Sequence, residues 1–219
     1  MKGLLLKDWF VILKQCKYLL VVPCVFMVAA AVQVQDGGLF FALMGGLLLC
    51  MLPVTVMGFD EQSKWEQLAV TMPYTRRAMV LSKYLLALLG SLAACLLYLA
   101  VSAIVCLVQN TAFSFSAIWP AMAAIFILCG LYTSLSYPVL FKLGVEKGRL
   151  WFLIGIVVLF SIAGAAGSLV RPENRVAITE WFSRSSLSSL LLYGLPVLAL
   201  ALMALSACVA VRLYSRREF

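Results

Sequence analysis

Six long apolar runs, at residues 18–34, 38–59, 84–108, 117–141, 150–170 and 187–211, contain no Asp, Glu, Lys, Arg or His, and this limits the possible folds more than any motif does. Crossing a hydrocarbon core about 30 Å thick takes roughly 20 apolar residues of helix, so the first run is short and the other five suffice. Backbone amides and carbonyls cannot go unpaired in lipid, and the runs lack the alternating polar pattern of barrel strands. Each is therefore read as a helix. The composition, 64% hydrophobic and 12% charged, agrees. The expectation is one all-α membrane domain over 1–219 with six transmembrane helices.

All 17 basic residues fall in connections or tails, and in short loops such residues prefer the cytoplasmic side. With the N-terminus inside, Lys2, Lys7, Lys14, Lys17, Lys64, Arg76, Arg77, Lys83, Lys142, Lys147, Arg149, Arg212, Arg216 and Arg217 are cytoplasmic. Only Arg171, Arg175 and Arg184 lie outside, so both termini are expected in the cytoplasm. The net charge of +8 follows from this rule and from anionic headgroups, and no nucleic-acid partner is inferred from it. An ion-coupled transporter keeps an ionisable group or a broken polar helix within its spans. None is visible here, so the driving energy is expected from elsewhere.

Lys2 and Ala29-Ala30-Ala31 have the look of a signal peptide, but the residues at 1–17 that precede the first run argue against one. Leu5, Leu6, Trp9, Ile12, Leu13 and Cys16 gather on one helical stripe, with Lys7, Asp8, Lys14 and Gln15 opposite. Such an amphipathic helix lies in the headgroup plane and turns into the first span; an ordinary positive flank is the alternative.

Catalysis is not expected of this chain. The seven cysteines are odd in number, form no C-x-x-C pair and mostly sit in apolar runs, so they read as small buried hydrophobes. With no histidine, His-based metal sites and Ser-His dyads are excluded, and no metal site is expected. No G-x-x-x-x-G-K-[ST] occurs either, so ATP is not hydrolysed through a P-loop of its own.

The informative connection is 60–77. Ser63 and Glu66 have the spacing of a capping box, in which each side chain satisfies a free amide of a first helical turn. Trp65, Leu68, Ala69 and Met72 follow on one apolar face before Pro73 stops the helix, and Thr75 can cap the next one. Two readings stay open: a short interfacial helix packed on its own bundle, or a knob offered to a cytoplasmic partner.

Asp60-Glu61, Lys64-Trp65-Glu66, Met72-Pro73, Arg76-Arg77 and Val80 to Lys83-Tyr84 together resemble the signature loop of ABC-2 type transporter permeases. The match is best with the small bacterial six-span group that includes permeases of bacitracin-type resistance systems and of the phenol-soluble modulin exporter. The carboxyl end, Leu213-Tyr214-Ser215-Arg216-Arg217-Glu218-Phe219, and the topology are also similar. The resemblance implies a half-transporter in a bacterial cytoplasmic membrane, paired with a second permease copy or paralogue. Each permease docks a separate ATP-binding-cassette subunit that carries ATP and magnesium; this chain holds no cofactor. It further implies that 60–77 is the coupling helix, with Glu61, Lys64, Trp65, Glu66, Leu68 and Met72 as docking residues. The second inner loop, 142–149, would be a minor contact, or simply a positive loop with two flexible glycines.

In related transporters the second span borders the central cavity, which here would place Phe41, Met44, Met51 and Phe59 at the cargo, beside Phe40 and Met57. Met and Phe suit varied hydrophobic cargo, though lipid-facing side chains have the same composition. Ser161, Gly164, Ala165, Gly167 and Ser168 allow close helix approach in the fifth span, and Ile178, Trp181 and Phe182 suit an interfacial anchor. The expected function is export of an amphipathic or hydrophobic peptide. A lipid exporter and a non-transporting immunity or sensor subunit are the alternatives.

Overall fold

The computed structural model describes residues 2–15, 17–32, 38–65, 75–109, 115–148, 150, 154 and 187–215. Among them every regular element is helical: α1 (Lys2–Gln15), α2 (Lys17–Val32), α3 (Gly38–Cys50), α4 (Leu52–Gln62), α5 (Arg76–Val108), α6 (Phe115–Leu143) and α7 (Leu187–Ser215). Four helical stretches are long and apolar enough to cross a membrane, Gly38–Gln62, Arg77–Val108, Ile118–Leu143 and Gly194–Tyr214, with a shorter apolar helix at Leu20–Val32. The chain is therefore built as a multi-pass membrane protein. The fifth apolar run, apart from Leu150 and Ile154, and the loop after it that holds Ile178, Trp181 and Phe182 lie outside the described residues.

α3 and α4 form one apolar helical stretch, Gly38–Gln62, joined at Met51, which stays in the right-handed helical region at φ −78° and ψ −14°. Pro53 has no N–H and so removes one rung of the ladder here. Thr55 bridges the junction, its amide and its hydroxyl both donating to Met51 O at 3.1 and 3.2 Å.

α5 and α6 form the middle of the bundle, with α7 packed on both and the α2–α3 pair on the other side. Pro138, inside α6, has no amide to give Ser134 O. Ser206 of α7 fills that vacancy, donating to Ser134 O at 2.7 Å, and the Tyr84 hydroxyl of α5 donates in turn to Ser206 Oγ at 2.7 Å. A helix-weakening residue in the sequence thus becomes a polar tie between three helices, as interhelical hydrogen bonding in lipid favours.

α3 meets α6 through small residues. A Cβ on Gly46 would stand 2.6 Å from Ile125 Cγ2, so only glycine allows this approach. Across the same contact the Cys129 thiol donates to Gly46 O at 3.4 Å and the Cys50 thiol to Cys129 O at 3.6 Å. Both thiols are buried, which fits their reading as small hydrophobes; Cys24 and Cys208 are exposed instead.

α1 packs against α4, α2 and α5. Leu4, Asp8 and Ile12 are its buried residues, whereas Leu6, Trp9, Phe10 and Leu13 are exposed. Asp8, on the side opposite the apolar stripe, is 1% exposed. The reason is electrostatic and lies in the partners described next.

Candidate functional site

The apolar runs at 38–59 and 84–108 end where charges begin, but the helices do not end there. α4 continues through Asp60 to Gln62, and α5 starts at Arg76, two turns before Lys83. Thr75 caps α5 as its sequence suggests, at φ −77° and ψ 144° with Oγ1 accepting from Ala78 N at 3.3 Å. Residues taken from the sequence as flanking surface charges are therefore carried inward on helical faces.

Four of them meet. Lys83 Nζ donates to both carboxylate oxygens of Asp8 at 2.8 Å and to Asp60 Oδ2 at 2.8 Å. Lys7 pairs with Asp60 Oδ1 and stands 3.3 Å from Asp8 Oδ1. The side chains of Asp8, Asp60, Lys83 and Lys7 are 2, 12, 12 and 24% exposed. Two cations and two anions cancel, and each carboxylate faces both ammonium groups. Buried charge is tolerated only when paired and hydrogen-bonded in this manner. Asp8 lies on the inner face of α1 because its counter-ion is there.

Trp65 joins this junction from the connection between α4 and α5. Its ring is half-buried and Lys7 Nζ sits 4.5 Å from the ring centroid, in cation–π range. Below the charges lie Met57, Met79, Phe141 and Tyr214, with Leu4 and Ser82 completing the walls of a cavity of about 40 Å³. Tyr84, Tyr137, Phe141 and Tyr214 continue inward as edge-on ring pairs at 5.0, 6.4 and 5.6 Å, a stiff apolar floor.

The predicted docking residues separate into three groups. Glu61 is turned inward on the protein: its carboxylate accepts from Val145 N at 2.6 Å and so holds the turn after α6 against the end of α4. Gly144, at φ 84°, ends α6 in a conformation that favours glycine, and 145–148 is helical. Gly144 and Gly148 are buried, so this loop is a tied turn where the sequence suggested slack glycines. Lys64 is exposed at φ 52° and Trp65 is half-buried. Glu66, Leu68 and Met72 lie outside the described residues.

Of the capping-box pair, Glu66 lies outside the described residues and Ser63 within them. Ser63 closes α4: its amide donates to Phe59 O at 3.0 Å and its hydroxyl to Asp60 O at 3.2 Å. The helix thus runs past Asp60, which faces Lys83 from its last turn.

Of the suggested cargo-facing residues, Phe41, Met51 and Phe59 are half-buried and packed on the core, and Met44 is half-buried beside them. Phe41 touches Phe26 and Phe40 at ring distances of 6.1 and 5.8 Å. A larger cleft lies elsewhere, between α1, α5 and α7. It measures about 460 Å³ and is walled by Leu5, Leu81, Ser82, Tyr84, Leu85, Leu88, Leu200, Met203, Ala204 and Ala207. A third cavity, about 270 Å³, lies between the end of α4 and the turn after α6, at Gly58, Glu61, Gln62, Val145 and Glu146.

The sequence reading missed Asp8, Asp60, Lys83 and Lys7 as a unit. The available signal was at Asp60 and Lys83, which adjoin the apolar runs at 38–59 and 84–108, where a charge becomes costly.

No curated protein and no solved structure matches the chain. The family model for ABC-2 family transporter protein matches residues 3–215, nearly the full length. The charge junction, the connection it anchors and the apolar spans all lie within that match, and the chain belongs to the ABC-2 family of transporter membrane proteins.

Proposed function

We propose that this chain is the permease subunit of an ATP-driven exporter of amphipathic or hydrophobic peptides. Two six-helix permeases, identical or paralogous, face each other in a bacterial cytoplasmic membrane with both termini cytoplasmic. Each takes one ATP-binding-cassette subunit on the 60–77 connection. ATP and magnesium belong to that subunit, and this chain supplies the path.

The observation that carries the reading is Trp65, held at the base of this connection by the charge junction of α1, α4 and α5. A docking segment must transmit force, and a segment anchored at a rigid junction can do so. Lys64, Trp65, Glu66, Leu68 and Met72 would meet the ATPase; Glu61, bonded to Val145, would act by holding both inner loops as one surface. For cargo, support comes from the apolar cleft of about 460 Å³ under α1. Its walls could take the greasy face of a peptide, but they offer a sugar or an ion few of the partners a buried polar solute needs. Phe41, Met44, Met51 and Phe59 are the proposed contacts across the second span.

The test is purification with the cognate ATP-binding-cassette subunit, followed by reconstitution. Trp65→Ala should lower docking affinity by roughly one to two decades, the effect of truncating an interfacial aromatic worth about 2–3 kcal/mol, while the permease still purifies as a folded species. Amphipathic helical peptides should stimulate ATP hydrolysis. Normal docking and transport by the variant would remove the coupling assignment; stimulation by sugars, amino acids or ions alone would remove the peptide cargo.

A further inference from the structure

We infer that Lys7, Asp8, Asp60 and Lys83 act as one rigid coupler, which carries movement of the 63–75 connection into α1 and α5, so that α1 is a moving part of the transporter. The inference rests on the reading of that connection as the ATPase-docking segment. The four are positioning residues: none of them is placed in the docking surface itself.

The connection is clamped at its base. Asp60 lies just before it and Lys83 two turns beyond Thr75, and the two side chains are bonded at 2.8 Å, so the ends of α4 and α5 cannot separate without parting a buried ion pair. Lys83 also holds Asp8 through both oxygens, which fixes α1 to the same point. Lys7 completes the ring by bonding Asp60 while lying over Trp65 at 4.5 Å from the ring centroid. Each charge is shared between two partners, so a member that shifts alone takes one of two counter-ions from each of its partners in a site closed to most solvent. A push on Trp65 therefore reaches α1 and α5 together.

The outer face of α1 fits a part that moves. Leu6, Trp9, Phe10 and Leu13 are exposed and apolar, so α1 can shift along lipid without breaking polar contacts on that side. Its inner face carries Leu5, a wall of the cleft between α1, α5 and α7. Displacing α1 changes the width of that cleft, which gives the coupler a consequence on the membrane side.

Hydrogen exchange on the permease–ATPase complex in lipid nanodiscs tests this, comparing the nucleotide-free complex with one trapped by ATP and vanadate. In the wild type, exchange of the α1 amides should differ about threefold or more between the two states. The variant Lys7→Gln/Asp60→Asn removes one cation and one anion and keeps the Lys83–Asp8 pair. It should retain the ATPase on purification but lose that difference, while Lys7→Arg keeps it. Lys7→Gln alone, at the most exposed member, serves if the double variant does not fold. A variant that keeps the wild-type difference, with or without lower thermal stability, assigns the charges a purely structural role and overturns the inference. A wild-type complex whose α1 exchange ignores nucleotide also overturns it. A wild-type chain that retains no ATPase overturns the docking reading and this inference together.

Discussion

Replacing Lys83 with Met should be among the most damaging single changes in the described part of the chain. The substitution keeps much of the side-chain length and removes one charge. Lys83 Nζ makes three contacts of 2.8 Å with two carboxylates. At that separation one unit-charge pair attracts by about 6 kcal/mol at an effective dielectric of about 20. Desolvation offsets much of this, and the measurable loss on deleting one partner of a buried pair is about 3–5 kcal/mol. Lys7 alone would then face Asp8 and Asp60, leaving a net negative charge in a site where Asp8 is 2% exposed. At about 2–4 °C per kcal/mol for a chain of this size, the midpoint should fall by roughly 6–20 °C. Heating in mild detergent followed by fluorescence-detected size-exclusion chromatography reads this directly. Lys83→Met/Asp8→Asn restores neutrality around the Lys7–Asp60 pair and should recover about half of the loss or more. A single variant within about 2 °C of wild type, or a double variant less stable than the single, would refute the reasoning.

Gly46→Ala should cost about 1–3 kcal/mol, since its Cβ would stand 2.6 Å from Ile125 Cγ2, and Gly46→Ala/Ile125→Ala should relieve the overlap; thermal midpoints of the two compare them. Ser206→Ala leaves the Tyr84 hydroxyl and Ser134 O without their bonds and should cost about 2 kcal/mol or more, whereas Pro138→Ala/Ser206→Ala returns an amide to Ser134 O and should be the more stable of the two in the same assay. Single cysteines at 62, 110 and 174 in a cysteine-free background should label from outside only at 110 and 174, and the reverse pattern contradicts the orientation.

The helical membrane architecture was legible in the sequence because its cause is local. Long charge-free runs must satisfy their own backbone in lipid, and helix is the form in which a single segment can do so. Thr75 as a cap needed only its three following residues, and the proline positions were plain. What Pro138 does was not: its consequence depends on Ser206 and Tyr84, which no local pattern places beside Ser134. The same limit applies to Glu61, whose partner Val145 lies 84 residues away.

α1 gives the clearest division between the two sources of information. Its apolar periodicity was visible, but in a bilayer an apolar face can serve lipid as well as protein, so periodicity cannot say which face packs. Leu6, Trp9 and Leu13 turned outward, and the inward face was chosen by Asp8, whose counter-ion Lys83 is 75 residues distant. The sequence by itself determined that this chain is a bundle of membrane helices with a charged, Trp-bearing connection. Tertiary structure alone decided that four edge charges cancel one another inside it, because pairing energy depends on distances of a few ångströms between groups far apart in the chain.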